Sequence, residues 1–225
     1  MIIRPLAAAG WFPTPAPGGG ARFTSPCRTA VLTCEGPGDG PGAWTVTGFA
    51  APGAAPVWRA RFGLGTPAEI TAAFTAVLAA GLRTRHRDYL VGGPRHRPGT
   101  PASVLADRGW RPEPGPKGFH DQVAPDQTAV YRHRLGHQSH DAEAAGRTPP
   151  TWSMLAGDPT APSWRAEFTI GVPFYALVNA TLAFSDPAPG QRPSIRARVR
   201  QAPNGPTAAS TASVSRPAPA AARRR

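Results

Sequence analysis

Val57-Trp58-Arg59-Ala60-Arg61-Phe62, followed by Thr66-Pro67-Ala68-Glu69-Ile70, is the stretch from which the fold is read. The chain writes it again 106 residues later as Ser163-Trp164-Arg165-Ala166-Glu167-Phe168, with Val172-Pro173 behind it. Trp58, Ala60 and Phe62 alternate with Val57, Arg59 and Arg61. Side chains on a strand point to opposite faces in turn, so one face is apolar and the other mostly basic, which predicts a half-buried strand. Gly63 to Gly65 breaks it. Thr66 suits the N-cap, Pro67 the first helical position, and Glu69 completes a capping box. Ile70, Ala73, Phe74, Val77 and Leu78 then recur at the spacing of one helical face, and Gly81 supplies the stop.

Upstream, residues 4–11 read as a short helical turn ending at Gly10-Trp11, and 13–20 as a Pro/Gly loop. Arg22 to Thr24 and Thr29 to Cys34 read as two strands joined by the turn Ser25-Pro26-Cys27-Arg28, because proline presets the turn dihedral and offers no ladder donor. Trp44 to Thr47 supplies a third strand. Downstream, Leu105 to Trp110 matches Leu6 to Trp11 and Thr128-Ala129-Val130 matches Thr29-Ala30-Val31, both at an offset of 99, while Trp152 matches Trp44 at 108. The step from 99 to 108 places an insertion of about nine residues between two strands of the second copy. All six tryptophans find partners in this way, which predicts a duplicated module whose indoles fill the interior.

The expected fold class is therefore α+β: two tandem divergent repeats, each a short antiparallel sheet of about four strands with a short N-terminal helix and a longer C-terminal helix. A module of about 80 residues buries only ~60% of its unfolded surface, so the repeats are expected to pack together as an intramolecular pseudo-dimer. The boundaries expected are 1–82 for the first module, 83–99 for an arginine-rich linker, 100–186 for the second module and 187–225 for a disordered tail. That tail is Pro, Ala, Ser, Thr and Arg, with too little apolar mass to offset ordering entropy.

The 225 residues include 29 prolines and 25 glycines, and the formal net charge is +12. That charge is unevenly placed. Residues 1–82 hold five basic against three acidic side chains, 83–99 five against one, 100–190 seven against nine, and 191–225 eight arginines with no acid. The modules are close to neutral and the basicity belongs to linker and tail. Cys27 and Cys34, read within one extended segment, stand about 23 Å apart and cannot be bridged. Two free thiols, no apolar run of membrane-spanning length and no secretory pattern after Met1 point to a cytoplasmic protein without membrane partners.

Gly-Trp near the start of the unit, a Ser-Pro-Asp-type turn before a strand, a Trp-x-Ala-x-Phe strand and a Thr-Pro-x-Glu helix start together resemble the SPDY family of actinobacterial proteins, which occurs in tandem copies. The resemblance covers 4–82 and 104–186. The first turn is Ser25-Pro26-Cys27-Arg28, without the aspartate; the second is Ala124-Pro125-Asp126-Gln127, without the serine; neither has tyrosine at its fourth position. The resemblance implies no activity and carries over no catalytic residue.

His133, His137 and His140, with Asp141 and Glu143 behind them, are the nearest approach to a metal cluster. Arg132 and Arg134 oppose a cation and Gly136 opposes a helix there, so a solvated loop is the expectation. Cys27 beside Arg28 offers a nucleophile without a base, and Ser25 reads as a turn residue. Gly63-x-Gly65 before Thr66 is a faint anion-site signal. The expected function is a non-catalytic intracellular binding or scaffold protein with an unidentified protein partner, no cofactor and no metal. One alternative is a nucleic-acid accessory protein whose tail residues Arg192, Arg196, Arg198, Arg200, Arg223, Arg224 and Arg225 contact phosphates nonspecifically. The other is a metal-dependent hydrolase using His133 and His137.

Overall fold

The computed structural model describes residues 2–35, 42–84, 99–136 and 139–186. The linker expected over most of 83–99, the tail expected from 187, its arginines, and His137 lie outside the described residues. In chain order the elements are α1 (Ile3–Ala8), β1 (Phe12–Pro15), β2 (Ala21–Thr24), β3 (Ala30–Glu35), β4 (Ala43–Phe49), β5 (Pro56–Phe62), α2 (Ala68–Thr84), α3 (Pro101–Asp107), β6 (Arg111–Pro114), β7 (Phe119–Val123), β8 (Ala129–Arg134), α4 (His140–Ala144), β9 (Trp152–Asp158), β10 (Ala161–Phe168) and α5 (Phe174–Ser185).

All ten strands form one antiparallel sheet in the order β1-β2-β3-β4-β5-β10-β9-β8-β7-β6. This corrects the expectation of two α+β repeats, each with its own sheet of about four strands and a longer C-terminal helix. The fold is mostly β and its sheet is continuous. The reason lies at β5: as the last strand of a separate module it would leave a row of backbone donors and acceptors unpaired. Instead Ala60, Arg61 and Phe62 pair with Phe168, Glu167 and Ala166 of β10. Just beyond them the Gly63 N–H donates to the Arg165 carbonyl at 2.8 Å and the Thr169 N–H to the Arg59 carbonyl at 3.0 Å. A Cβ on Gly63 would stand 2.9 Å from that Arg165 oxygen, so the close approach requires glycine.

The strand count was also underestimated. Phe12–Pro15, most of which reads as the start of a Pro/Gly loop, and Arg111–Pro114, to which the sequence reading assigns no element, carry two prolines each, yet both segments are the outermost strands. Proline is tolerated there because an edge residue turned outward needs no ladder donor, and it also discourages pairing with another chain.

One face of the sheet carries the core. Trp58, Ala60 and Phe62 of β5 and Trp164, Ala166 and Phe168 of β10 are buried, beneath α2 and α5, which pack on each other. Phe62, Phe74 and Phe168 form a triangle at the join, with ring centroids 5.5, 5.6 and 5.8 Å apart. Each is fully buried, and burial of such a ring stabilises by about 1.5–3 kcal/mol before the ring contacts are added. Trp11 and Trp110 are buried as well, and Trp44 and Trp152 half-buried, so all six indoles belong to the interior or its rim.

Three local expectations are revised. Thr66 does not cap α2 through a box with Glu69; its hydroxyl donates to the Gly63 carbonyl at 2.7 Å and, at 3.2 Å, to the Arg165 carbonyl across the sheet join. A capping box does form at α3, between Thr100 and Ser103. Gly81 does not stop α2, which runs on to Thr84, because burying Leu82 outweighs the roughly 1 kcal/mol glycine penalty.

Trp58 lies flat over Gly48 of the neighbouring strand, where an added Cβ would stand 2.0 Å from an indole carbon. Gly48→Val is therefore expected to lose about 3 kcal/mol of stability in urea denaturation, the upper end of an overpacking penalty. A variant as stable as the parent would show that this indole is not packed as described.

Candidate anion-binding trough on the open face of the sheet

Because Trp58, Ala60 and Phe62 take the helix side, strand alternation sends Arg59 and Arg61 to the other face, and β10 sends Arg165 and Glu167 to the same side. Register sets Glu167 opposite Arg61. The row continues to Ser153 and Arg132 in one direction and to Thr45 and Thr33 in the other. A polar band thus crosses the join between the two halves.

The wall of the site is α4 and the residues after it. This five-residue helix is too short to hold itself by propensity. It is fixed by Glu143, whose side chain is fully buried. Oε1 accepts from Arg134 Nη2 at 2.6 Å and from the Thr151 hydroxyl at 2.7 Å. Oε2 accepts from the Thr151 N–H at 3.1 Å and the Ile170 N–H at 2.9 Å. Four donors fill the acceptor sites of a carboxylate, so Glu143 has no capacity left for a ligand or a metal. Its effect is to clamp α4 and the Arg147–Pro150 segment over β5 and β10.

Between wall and sheet lies a hollow of about 450 Å³, bordered by Arg59, Arg61, Arg147, Thr148, Glu167 and Thr169. A second hollow of about 440 Å³ continues past Arg61 and Glu167 to Leu64, Ser163 and Arg165. Together they make a trough along the two central strands. Thr169 closes its floor: its hydroxyl accepts from the Arg59 N–H at 2.8 Å. The electrostatics are unbalanced. Glu143 is paired with Arg134 and Glu167 lies 3.6 Å from Arg165, whereas Arg59, Arg61 and Arg147 have no ion-pair partner among the described residues. The Thr148 hydroxyl oxygen is buried without a hydrogen-bond partner. Three free guanidiniums around one hollow suit an anionic oxygen ligand.

The histidines weighed as an alternative metal cluster cannot be followed as a set, since His137 lies outside the described residues; among the described residues no group of three or more His, Cys, Asp or Glu side chains is placed to hold a metal. His133 stacks on Trp152 at 6.0 Å with the rings nearly parallel, on the helix side of β8, while its neighbour Arg134 turns to the other face and holds Glu143. Burial lowers the His133 pKa, and His120 across the β7–β8 pair lowers it further. His140 opens α4 and Asp141 follows it.

Cys27 lies in the turn between β2 and β3 and not within a strand; it and Cys34 are both free thiols. Its sulfur is 3.1 Å from the Thr29 hydroxyl and 3.4 Å from that of Ser25. In the turn between β7 and β8, Asp126 takes the matching place, with Oδ1 accepting from the Thr128 N–H and hydroxyl at 3.0 and 2.8 Å. The next residues, Arg28 and Gln127, share φ near +57° and +58°. Burial raises the Cys27 pKa, but hydrogen bonds from Ser25 and Thr29 outweigh it and the net shift is downward. Burial, and then Glu35, push Cys34 up. Ser25 Oγ accepts from the Ala30 N–H at 3.0 Å, as a turn residue would.

Arg59 and Arg61 were legible as the basic face of a strand. Arg147 and Thr148 were not, since the segment has no periodicity and is placed by a carboxylate that sequence alone reads as a metal ligand.

Residues 24–82, from the end of β2 through α2, match the family model SPDY, described as a domain of unknown function (DUF317). No curated protein and no solved structure matches the chain. Among the described residues no helix is long and apolar enough to cross a membrane.

Removing the Glu143 carboxylate would take the buried charge away from the half-buried Arg134 guanidinium and release the wall. Glu143→Ala is expected to cost about 3–5 kcal/mol in chemical denaturation, the range for half of a buried ion pair. It is also expected to speed amide exchange at Thr151 and Ile170. Unchanged stability and exchange would contradict the clamp.

Proposed function

We propose that this chain is a non-catalytic intracellular binding protein that recognises an anionic ligand through the trough at the centre of its sheet. The observation that carries the reading is the set of three arginines, Arg59, Arg61 and Arg147, around one hollow whose carboxylates are already engaged. Guanidiniums are weakly hydrated and present planar forks of donors, so they lose less on binding an oxyanion than ammonium groups do. A single central strand of a continuous sheet, β5, holds both Arg59 and Arg61, which limits the entropy lost when a ligand orders them. A catalytic role is not favoured. Of the carboxylates that border the trough, Glu143 is saturated by four donors and Glu167 lies beside Arg165, and the His133 ring stacks on an indole on the opposite side of the sheet. Free thiols at Cys27 and Cys34 agree with a reducing compartment.

The test is thermal unfolding of the full chain in phosphate, sulfate and citrate at constant ionic strength, compared with Arg59→Gln/Arg61→Gln. A ligand of the folded state raises the melting temperature by mass action. The parent is expected to be stabilised by at least one multivalent anion and the double variant not. Equal shifts in both proteins would place anion binding elsewhere and remove the trough from the account.

A further inference from the structure

We propose that the hollow between β5 and the Arg147–Pro150 segment is a site for the phosphate group of a small, non-aromatic phosphorylated ligand, an inference that rests on the anion-binding reading above. Arg59 and Arg61 present donors from the floor and Arg147 from the wall, so the positive charge reaches the hollow from two directions. A carboxylate offers one charge and two oxygens in a plane, and a single arginine fork satisfies it. A phosphate monoester carries roughly −1.5 to −2 charges and three terminal oxygens, which matches three guanidiniums.

The remaining space decides the rest of the ligand. The hollow measures about 450 Å³, within the range of small-molecule sites and well beyond what one phosphate fills. Gly146, Pro149 and Pro150 border it, and among the described residues no aromatic side chain does. Nothing there stacks on a nucleobase, so a hydroxylated or aliphatic body of sugar-phosphate size fits and a nucleic-acid strand is disfavoured. Pro149 and Pro150 restrict the wall's backbone, which favours a preformed site.

The experiment is isothermal titration of the full chain with glucose 6-phosphate, citrate and a single-stranded oligonucleotide at one ionic strength, repeated with Arg147→Gln and Thr148→Val. Arg147 is exposed, so its variant is expected to keep the parent melting temperature. Glucose 6-phosphate is expected to saturate at one per chain, and Arg147→Gln to weaken it about tenfold, the loss of one charge-assisted contact. Thr148→Val, which removes a hydroxyl closed off from the hollow, is expected to leave binding unchanged. Citrate or oligonucleotide binding that is lost in Arg147→Gln, with no glucose 6-phosphate binding, overturns the phosphate inference and leaves the anion-binding reading standing. Anion binding indifferent to Arg147→Gln and to Arg59→Gln/Arg61→Gln overturns both.

Discussion

The rest of the structure depends on the pairing of β5 with β10. Both strands present one apolar face and one charged face, and both would otherwise end a sheet with backbone groups open to water. Joining them edge to edge satisfies Gly63 and Arg165, Thr169 and Arg59, and sets Phe62 against Phe168 beneath the helices. The same act sets Arg61 opposite Glu167 on the other face. Core and trough are two sides of one junction. A change of register by one residue would exchange them, driving arginines into the helix layer and phenylalanines into water.

The two faces are finished differently. Helices α2 and α5 cover the apolar side across the join. On the polar side, among the described residues, α4 and the Arg147–Pro150 segment return to the sheet, and they are held by one carboxylate, not by an apolar stripe. A buried ion pair is a weak source of net stability against an apolar replacement, but it places a short segment in one position. That is the property a binding wall needs.

Much of the fold could be read from residues. Alternation in Trp58 to Phe62 and in Trp164 to Phe168 gave the central strands and their buried faces, and the Ile70-Phe74-Leu78 spacing gave the first long helix. Neither the continuity of the sheet nor the edge strands was accessible. Pairing between distant strands leaves no local periodicity, and two prolines in four residues mark Phe12–Pro15 as loop unless its edge position is known. Capping failed at Thr66 because its hydroxyl turns back to the Gly63 carbonyl at 2.7 Å, with a second, longer contact at 3.2 Å to Arg165, 99 residues away, that only the sheet join supplies. At the site, the outward arginines of β5 were visible and the role of Glu143 was not. Its four donors come from three separate segments, and only the fold assembles them.

The claim that two halves share one sheet through β5 and β10 is tested most directly by amide hydrogen exchange resolved at Gly63 and Thr169, the two residues whose N–H groups close the junction. The account predicts protection at both comparable to that of the core strand residues Val46 and Ala166. Exchange at both as fast as at the exposed Gly53 turn, with Val46 and Ala166 still protected, would mean that the halves fold without this junction, and the trough built across it would go with it.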